Sequence, residues 1–158
     1  MSEHETIRLL NFDFNWSLCE YAPGRFQHTA SGPMDWAYID PVEYVDWHEQ
    51  HGNTAVLCQA YTQPGTALYP SRFGPVAPGP GSDLCLRIAE ETDRRGMQFW
   101  SYFSVGCEVM HASVRPHWCV PGSQKLAAYA DFFAPETPWT DLLCARIDEF
   151  LRQCPQTT

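Results

Sequence analysis

The sequence predicts an α/β chain assembled from repeated strand–helix units. Three observations carry that prediction. Apolar runs of strand length alternate with amphipathic stretches of helix length. The first two helical stretches end on a glycine that leads at once into the next strand, at Gly52–Asn53 and Gly96–Met97. The connections from strand to helix are long and rich in proline and glycine. In proteins of this kind the working groups sit at the carboxyl ends of the strands. A chain that is terse on one side and elaborate on the other therefore has a candidate working face. The pattern alone fits a barrel and an open sheet equally.

The first strand is expected over Ile7 to Trp16, where Phe12 and Phe14 alternate with Asp13 and Asn15. A turn-rich stretch with Pro23, Gly24, Gly32 and Pro33 follows. The first helix begins with Asp40 as N-cap, Pro41 at the first helical position and Glu43 placed for a capping box. Val42 and Val45 are expected on one face, with Tyr44 and His48 as a second pair four apart. The second strand runs from Asn53 to Tyr61.

Thr62 to Gly81 holds prolines at 64, 70, 75, 78 and 80, which rules out a helix or an inner strand there. A second helix is expected from about Ser82 to Arg95, with Leu84 and Ile88 on its apolar face. Asp83 suits its N-terminal dipole, and Glu90–Arg94 and Glu91–Arg95 read as surface pairs. The third strand, Met97 to Val105, is aromatic and apolar almost throughout, as for a parallel strand covered on both faces. In the loop from Gly106 to Glu136, Leu126 to Phe133 reads as a short helix. A third clear helix starts near Thr137–Pro138, with Leu143, Ile147 and Phe150 or Leu151 as its apolar face.

The bulk numbers exclude several classes. The chain has 158 residues, 44% of them hydrophobic, and a formal net charge of −9. An acidic chain whose tightest basic pair is Arg94–Arg95 repels a phosphate backbone, so no nucleic acid partner is expected. No stretch reaches the roughly 18 apolar residues of a membrane helix, and MSEHETIRLL lacks the pattern of a secretory signal. No membrane partner is expected. The seven cysteines are widely spaced without a CxxC pair, which favours reduced thiols in a cytoplasmic protein. His111 and His117 have no third ligand at diagnostic spacing, so no metal and no cofactor are expected. The stretch APGPGSD is neither a dinucleotide nor a phosphate loop, and no GxSxG elbow occurs.

The candidate binding residues are those at and beyond the strand ends: Asp13, Asn15 and Trp16; Gln59, Tyr61 and Tyr69; Tyr102, Ser104, Arg115 and Trp118. Hydroxyl, amide, carboxylate and indole groups together suit a neutral polyhydroxyl ligand, because a sugar presents hydrogen-bonding edges and an apolar face. Each also has a plain structural reading. Asp13 caps a turn, Asn15 and Gln59 satisfy loop backbone, Trp16 and Trp118 cover the mouth of the sheet, and Arg115 anchors its loop. Glycoside hydrolysis needs two carboxylates about 5 to 9 Å apart. Asp13 and Glu108 are the only acids near the expected strand ends, and no catalytic residue is assigned.

The segments RLLNFDFNW, IDPVEYVDWHEQHGNTAVLCQAYTQPGTALYPS, SDLCLRIAEETDRRGMQFWSYFSVG and RPHW resemble the N-terminal region of α-L-fucosidase-like glycoside hydrolases and their uncharacterised relatives. Gly65 with Tyr69-Pro70-Ser71 and Tyr102-Phe103-Ser104 carry the most specific part, and APETPWTDLLCARIDEFL resembles the helix before their fourth strand. The resemblance implies a partial (β/α)8 TIM barrel: the first three strand–helix units with long βα loops, in one incomplete domain over 1–158. A whole barrel takes roughly 250 residues. It also implies a carbohydrate or glycoside as ligand, with hydrolysis of O-glycosidic bonds in the complete parent enzyme. Where α-L-fucosidases carry His-His-Asp-Gly, this chain has Tyr61-Thr62-Gln63-Pro64-Gly65, so the resemblance does not carry fucose specificity. The family's aspartate nucleophile ends the fourth strand, and no residue here inherits it. Asp13, Asn15, Tyr61, Tyr69, Tyr102 and Ser104 inherit pocket-lining roles only. The alternatives are a non-catalytic small-molecule or carbohydrate-binding α/β protein, or a structural part of a larger assembly. Unpaired sheet edges would then serve self-association.

Overall fold

A computed structural model describes residues 6–11, 39–62, 65–123 and 132–157. Helix α1, Pro41–Gln50, starts as its sequence dictates: the Asp40 carboxylate accepts from the backbone N–H of Val42 (2.8 Å) and Glu43 (3.3 Å). It ends where Gly52 takes a positive φ of 74° and donates to the Glu49 carbonyl. Strand β1, Ala55–Gln59, follows directly.

A 3₁₀ turn, Gly79–Asp83, leads into helix α2, Leu84–Arg94, and then comes strand β2, Gln98–Tyr102. β1 and β2 pair in parallel, Val56 opposite Phe99 and Leu57 opposite Trp100. The crossover helix between two parallel neighbours makes this a βαβ unit. A short helix α3, Val109–Val114, a 3₁₀ turn, Pro116–Trp118, and a long helix α4, Pro138–Gln153, complete the order. Beyond α4, Thr157 bridges in parallel to Phe99. α4 thus returns the chain to the sheet alongside β2.

The core lies between the sheet and the helices. Val45, Val56, Leu68, Tyr69, Leu84, Ile88, Phe99 and Phe150 are buried together, while Trp139, Leu143, Ala112 and Phe133 form a second cluster under α4. Burying a side chain the size of Phe150 contributes about 1.5–3 kcal/mol.

The α/β class and the strand–helix order stand in the structure, and several local expectations are corrected. Among the described residues the first expected strand is not formed over 7–11. There Arg8 alone meets β1, its carbonyl accepting from the N–H of Thr54 and Ala55, and the rest of that strand lies outside the described residues. Val42 is half exposed, and α1 buries Pro41, Val45 and His48 instead, which keeps the helical period but shifts its phase. β2 is not covered on both faces. Trp100 and Tyr102 are over a third exposed, because the helices pack on the side of Phe99. Phe132 and Phe133 are extended, bridging Cys107 and Cys119, rather than helical; 126–131 lie outside the described residues.

The charges on α2 also differ from expectation. Glu91 is a nearly buried hub rather than a solvated surface acid. It binds Arg94 and Arg95, and Arg95 crosses to Asp46 and Glu49 of α1. Asp83 leaves the α2 N-terminus uncapped and pairs with Arg87. On α4, Phe150 is buried and Leu151 exposed, which settles the apolar face.

Candidate functional site

The loop after β1 folds back on itself, Ala67 bridging both Tyr61 and Val76. This carries Tyr61, Tyr69, Ser71 and Arg72 against α4. Tyr69 is fully buried and donates its hydroxyl to the Arg146 carbonyl at 3.0 Å. Tyr61 is 2% exposed, and its hydroxyl meets Ser71 Oγ at 2.5 Å. Ser71 in turn donates to Glu149 Oε2 at 2.7 Å, and Arg72 donates to Glu149 from its backbone N–H and its Nε. Burial by itself would raise the Glu149 carboxyl pKa. The donors Ser71 and Arg72 overcome it and leave the group below its ordinary value. Burial raises the phenols of Tyr61 and Tyr69, against the opposing Ser71 hydrogen bond. Both stay neutral hydroxyls near neutral pH.

The loop after β2 brings a second set to the same helix. Glu108, 2% exposed, places one carboxylate oxygen against His111 Nδ1 and the other against Arg146 Nη1. Arg146 is 1% exposed. Its guanidinium lies 4.1 Å from the Tyr61 ring centroid and 5.6 Å from that of Trp139, and Nη2 donates to the Phe73 carbonyl at 3.1 Å. Its Nε is buried without a hydrogen-bond partner among the described residues. His111 lies nearly parallel to Trp118 at 6.4 Å and tilted to Trp139 at 6.0 Å. Arg115 sits 4.8 Å over Trp118. Gly65 closes the cluster at φ 104°, where a Cβ would lie 2.7 Å from Glu108 Oε1. Both βα loops are therefore clasped to α4 through one polar network at the carboxyl end of the sheet.

The sequence-nominated residues divide into groups. Tyr61 and Tyr69 enter the network and are buried in it, and Gln59, 4% exposed, ends β1 beneath it. Arg115 and Trp118 form a stacked pair that touches the network through His111. Tyr102, 39% exposed, ends β2 on the uncovered sheet face. Ser104 donates to the Cys107 carbonyl at 2.7 Å and shapes its own loop. Asp13, Asn15 and Trp16 lie outside the described residues. A surface cavity of about 520 Å³ runs beside α4 at the Arg72–Glu149 edge of the network, lined also by Phe73, Asp148 and Arg152, and none of the nominated residues lines it.

Sequence reasoning missed Arg146 and Glu149, and a signal for Arg146 existed. Trp139, Leu143, Arg146 and Phe150 follow the spacing of one buried helical stripe. A cation at a stripe position has to be paired, and a carboxylate from another element was the partner to seek. Among the described residues no group of three or more His, Cys, Asp and Glu side chains is arranged to hold a metal ion.

A parallel βαβ unit with long, mutually clasped loops at the carboxyl end of its strands defines an α/β scaffold. No family model and no curated protein matches the chain. Solved structures do match: the fold resembles α-L-fucosidases. α-L-Fucosidase isoenzyme 2 from Paenibacillus thiaminolyticus superposes with a TM-score of 0.64 at 20% identity, covering 73% of this chain and 19% of that one. The Thermotoga maritima α-fucosidase gives 0.55 at 19% identity, covering 74% and 26%. A GH29 α-L-fucosidase from Bacteroides thetaiotaomicron, trapped as a covalent intermediate, gives 0.55 at 16% identity, covering 76% and 26%. The chain spans about a fifth to a quarter of the length of these enzymes.

Proposed function

We propose that this chain forms the opening strand–helix units of a glycoside-hydrolase-like (β/α)8 barrel and binds carbohydrate at the carboxyl end of its strands. The observation that carries this reading is the fold shared with α-L-fucosidases. Two features of the chain support it. β1–α2–β2 is a parallel unit with its long loops on one side, and α4 delivers Thr157 to the edge of β2, where a barrel sets its next strand. Within this reading the buried Tyr61 and Tyr69 support the pocket from behind, while Tyr102, Arg115 and Trp118 keep surface for a ligand. Hydrolysis of O-glycosidic bonds belongs to the complete parent enzyme, with its nucleophile on the fourth strand. The setting we propose is cytoplasmic, from seven widely spaced cysteines without a CxxC pair.

A second reading has its own support. Trp100 and Tyr102 expose apolar surface on the sheet face away from the helices, which favours a structural part in a larger assembly or self-association through the sheet. Heteronuclear NMR of the full chain with L-fucose, D-galactose and 4-nitrophenyl glycosides separates the two. Saturable amide shifts around Trp118 and Tyr102 are expected. A folded chain that shows no shift with any sugar, and sediments as a defined oligomer, would overturn the carbohydrate reading in favour of assembly.

A further inference from the structure

The arrangement around His111 goes beyond a clasp. A guanidinium only donates, so Glu108 stands beside Arg146 as an acceptor. Facing that carboxylate, His111 Nδ1 carries the ring hydrogen. In the neutral ring the second nitrogen, Nε2, is then the one with a bare lone pair of fixed direction. Nε2 has no hydrogen-bond partner among the described residues, although the side chain is only 8% exposed. Nε2 is not among the buried unpartnered atoms of the described residues, so it is open to a ligand from solvent. The same cluster holds one buried polar atom without a hydrogen-bond partner among the described residues, Arg146 Nε. The aromatic surround is asymmetric. Trp139 and Trp118 flank the imidazole, Arg115 lies over Trp118, and the exposed His117 ring stands edge-on to Trp118 at 6.1 Å.

We propose that His111 is a ligand-facing acceptor, its Nε2 taking a hydrogen bond from a hydroxyl of a sugar ring packed beside Trp118. Glu108 and Arg146 are its positioning residues: Glu108 fixes the tautomer and Arg146 holds Glu108. This deepens the carbohydrate reading and rests on it. Such a device selects for a hydroxyl donor at one point of the ring, because a carbonyl or ether oxygen presented to a bare nitrogen is repelled.

The test has one arm without sugar and one with it. Imidazole nitrogen NMR on the full chain near neutral pH reads the tautomer, and diethylpyrocarbonate labelling with peptide mapping reads the reactivity of Nε2. Expected are a bare Nε2 at His111, and its labelling slowed at least fivefold by saturating L-fucose or D-galactose, with His117 labelling unchanged as control. His111→Gln should weaken sugar binding about tenfold, the scale of one buried hydrogen bond. Glu108→Gln, which keeps shape, should shift the tautomer toward a hydrogen on Nε2 and weaken binding similarly, an effect a purely structural glutamate would not have. A hydrogen on Nε2 in the free wild-type chain overturns the proposal whatever sugars do. Amide shifts elsewhere without protection of His111 overturn it and leave the carbohydrate reading standing. No amide shift with any sugar removes both.

Discussion

Replacing Arg146 with methionine tests the clasp most directly. The guanidinium is 1% exposed and faces a Glu108 side chain that is 3% exposed, so Arg146→Met leaves a buried carboxylate with the His111 Nδ1 contact as its remaining side-chain partner among the described residues. Removing one partner of a buried pair costs about 3–5 kcal/mol. The lost bond to the Phe73 carbonyl and the lost contact with the Tyr61 ring belong to the same network and do not add to that figure independently. Against a typical total of about 5–15 kcal/mol this is a large share. With a urea slope of about 2 kcal/mol per molar, the unfolding midpoint should fall by roughly 2 M at unchanged slope. Urea titration followed by tryptophan fluorescence measures it, since Trp139 and Trp118 both border the cluster. The double variant Glu108→Leu/Arg146→Met removes both charges and should recover most of the loss. A loss below about 1 kcal/mol, or no recovery in the double variant, would refute the claim that the pair ties the β2 loop to α4.

Three further outcomes follow from the geometry. Gly65→Ala places a Cβ 2.7 Å from Glu108 Oε1 at a φ of 104°, and should cost about 2 kcal/mol or more in thermal or urea unfolding; Gly52→Ala, at φ 74° with nothing within 4 Å, should cost only about 1 kcal/mol. Arg94 and then Arg95 hold the Glu91 carboxyl down to about 2 from an ordinary 4.5, so the stability it contributes is present above 4.5 and lost as pH falls toward 2. Glu91→Gln should accordingly flatten the loss of melting temperature across that window, and equal acid sensitivity of variant and wild type would count against the hub. Thiol titration of the folded chain should find Cys144 reactive and Cys58, Cys85 and Cys154 silent until denaturant is added, burial pushing the Cys85 thiol well above its ordinary value. Prompt native reactivity at Cys85 would mean that the β1–α2 core is not closed.

Local chemistry made much of the scaffold legible. Asp40-Pro41 starts α1 and Gly52 ends it, because a cap and a left-handed residue act over one turn of chain and need no distant partner. The period of Leu84 and Ile88 placed α2, and the short αβ joints told on which side the long loops lie. The phase of a helix was less legible. Val42 looked buried and is not, because which stripe faces inward depends on the angle at which the helix meets the sheet. Phe132 and Phe133 carried a helical pattern and became extended, because Cys107 and Cys119 on either side offered them backbone partners.

The candidate site divides along the same line. Its hydroxyls and aromatics, Tyr61, Tyr69, Trp118 and Arg115, were visible as residue types beyond strand ends. That Glu108, His111, Arg146 and Glu149 join them in one network was not, since Glu108 and Arg146 lie 38 positions apart and Ser71 and Glu149 lie 78 apart. The sequence by itself determined the α/β order, the capped helices, the acidic surface and the side on which the loops gather, because each depends on neighbours within a turn or a few residues. Only the tertiary structure decided which polar groups are buried together. A charge enters the core only where packing brings its counter-charge to the same point, and the single helix α4 does that for both loops.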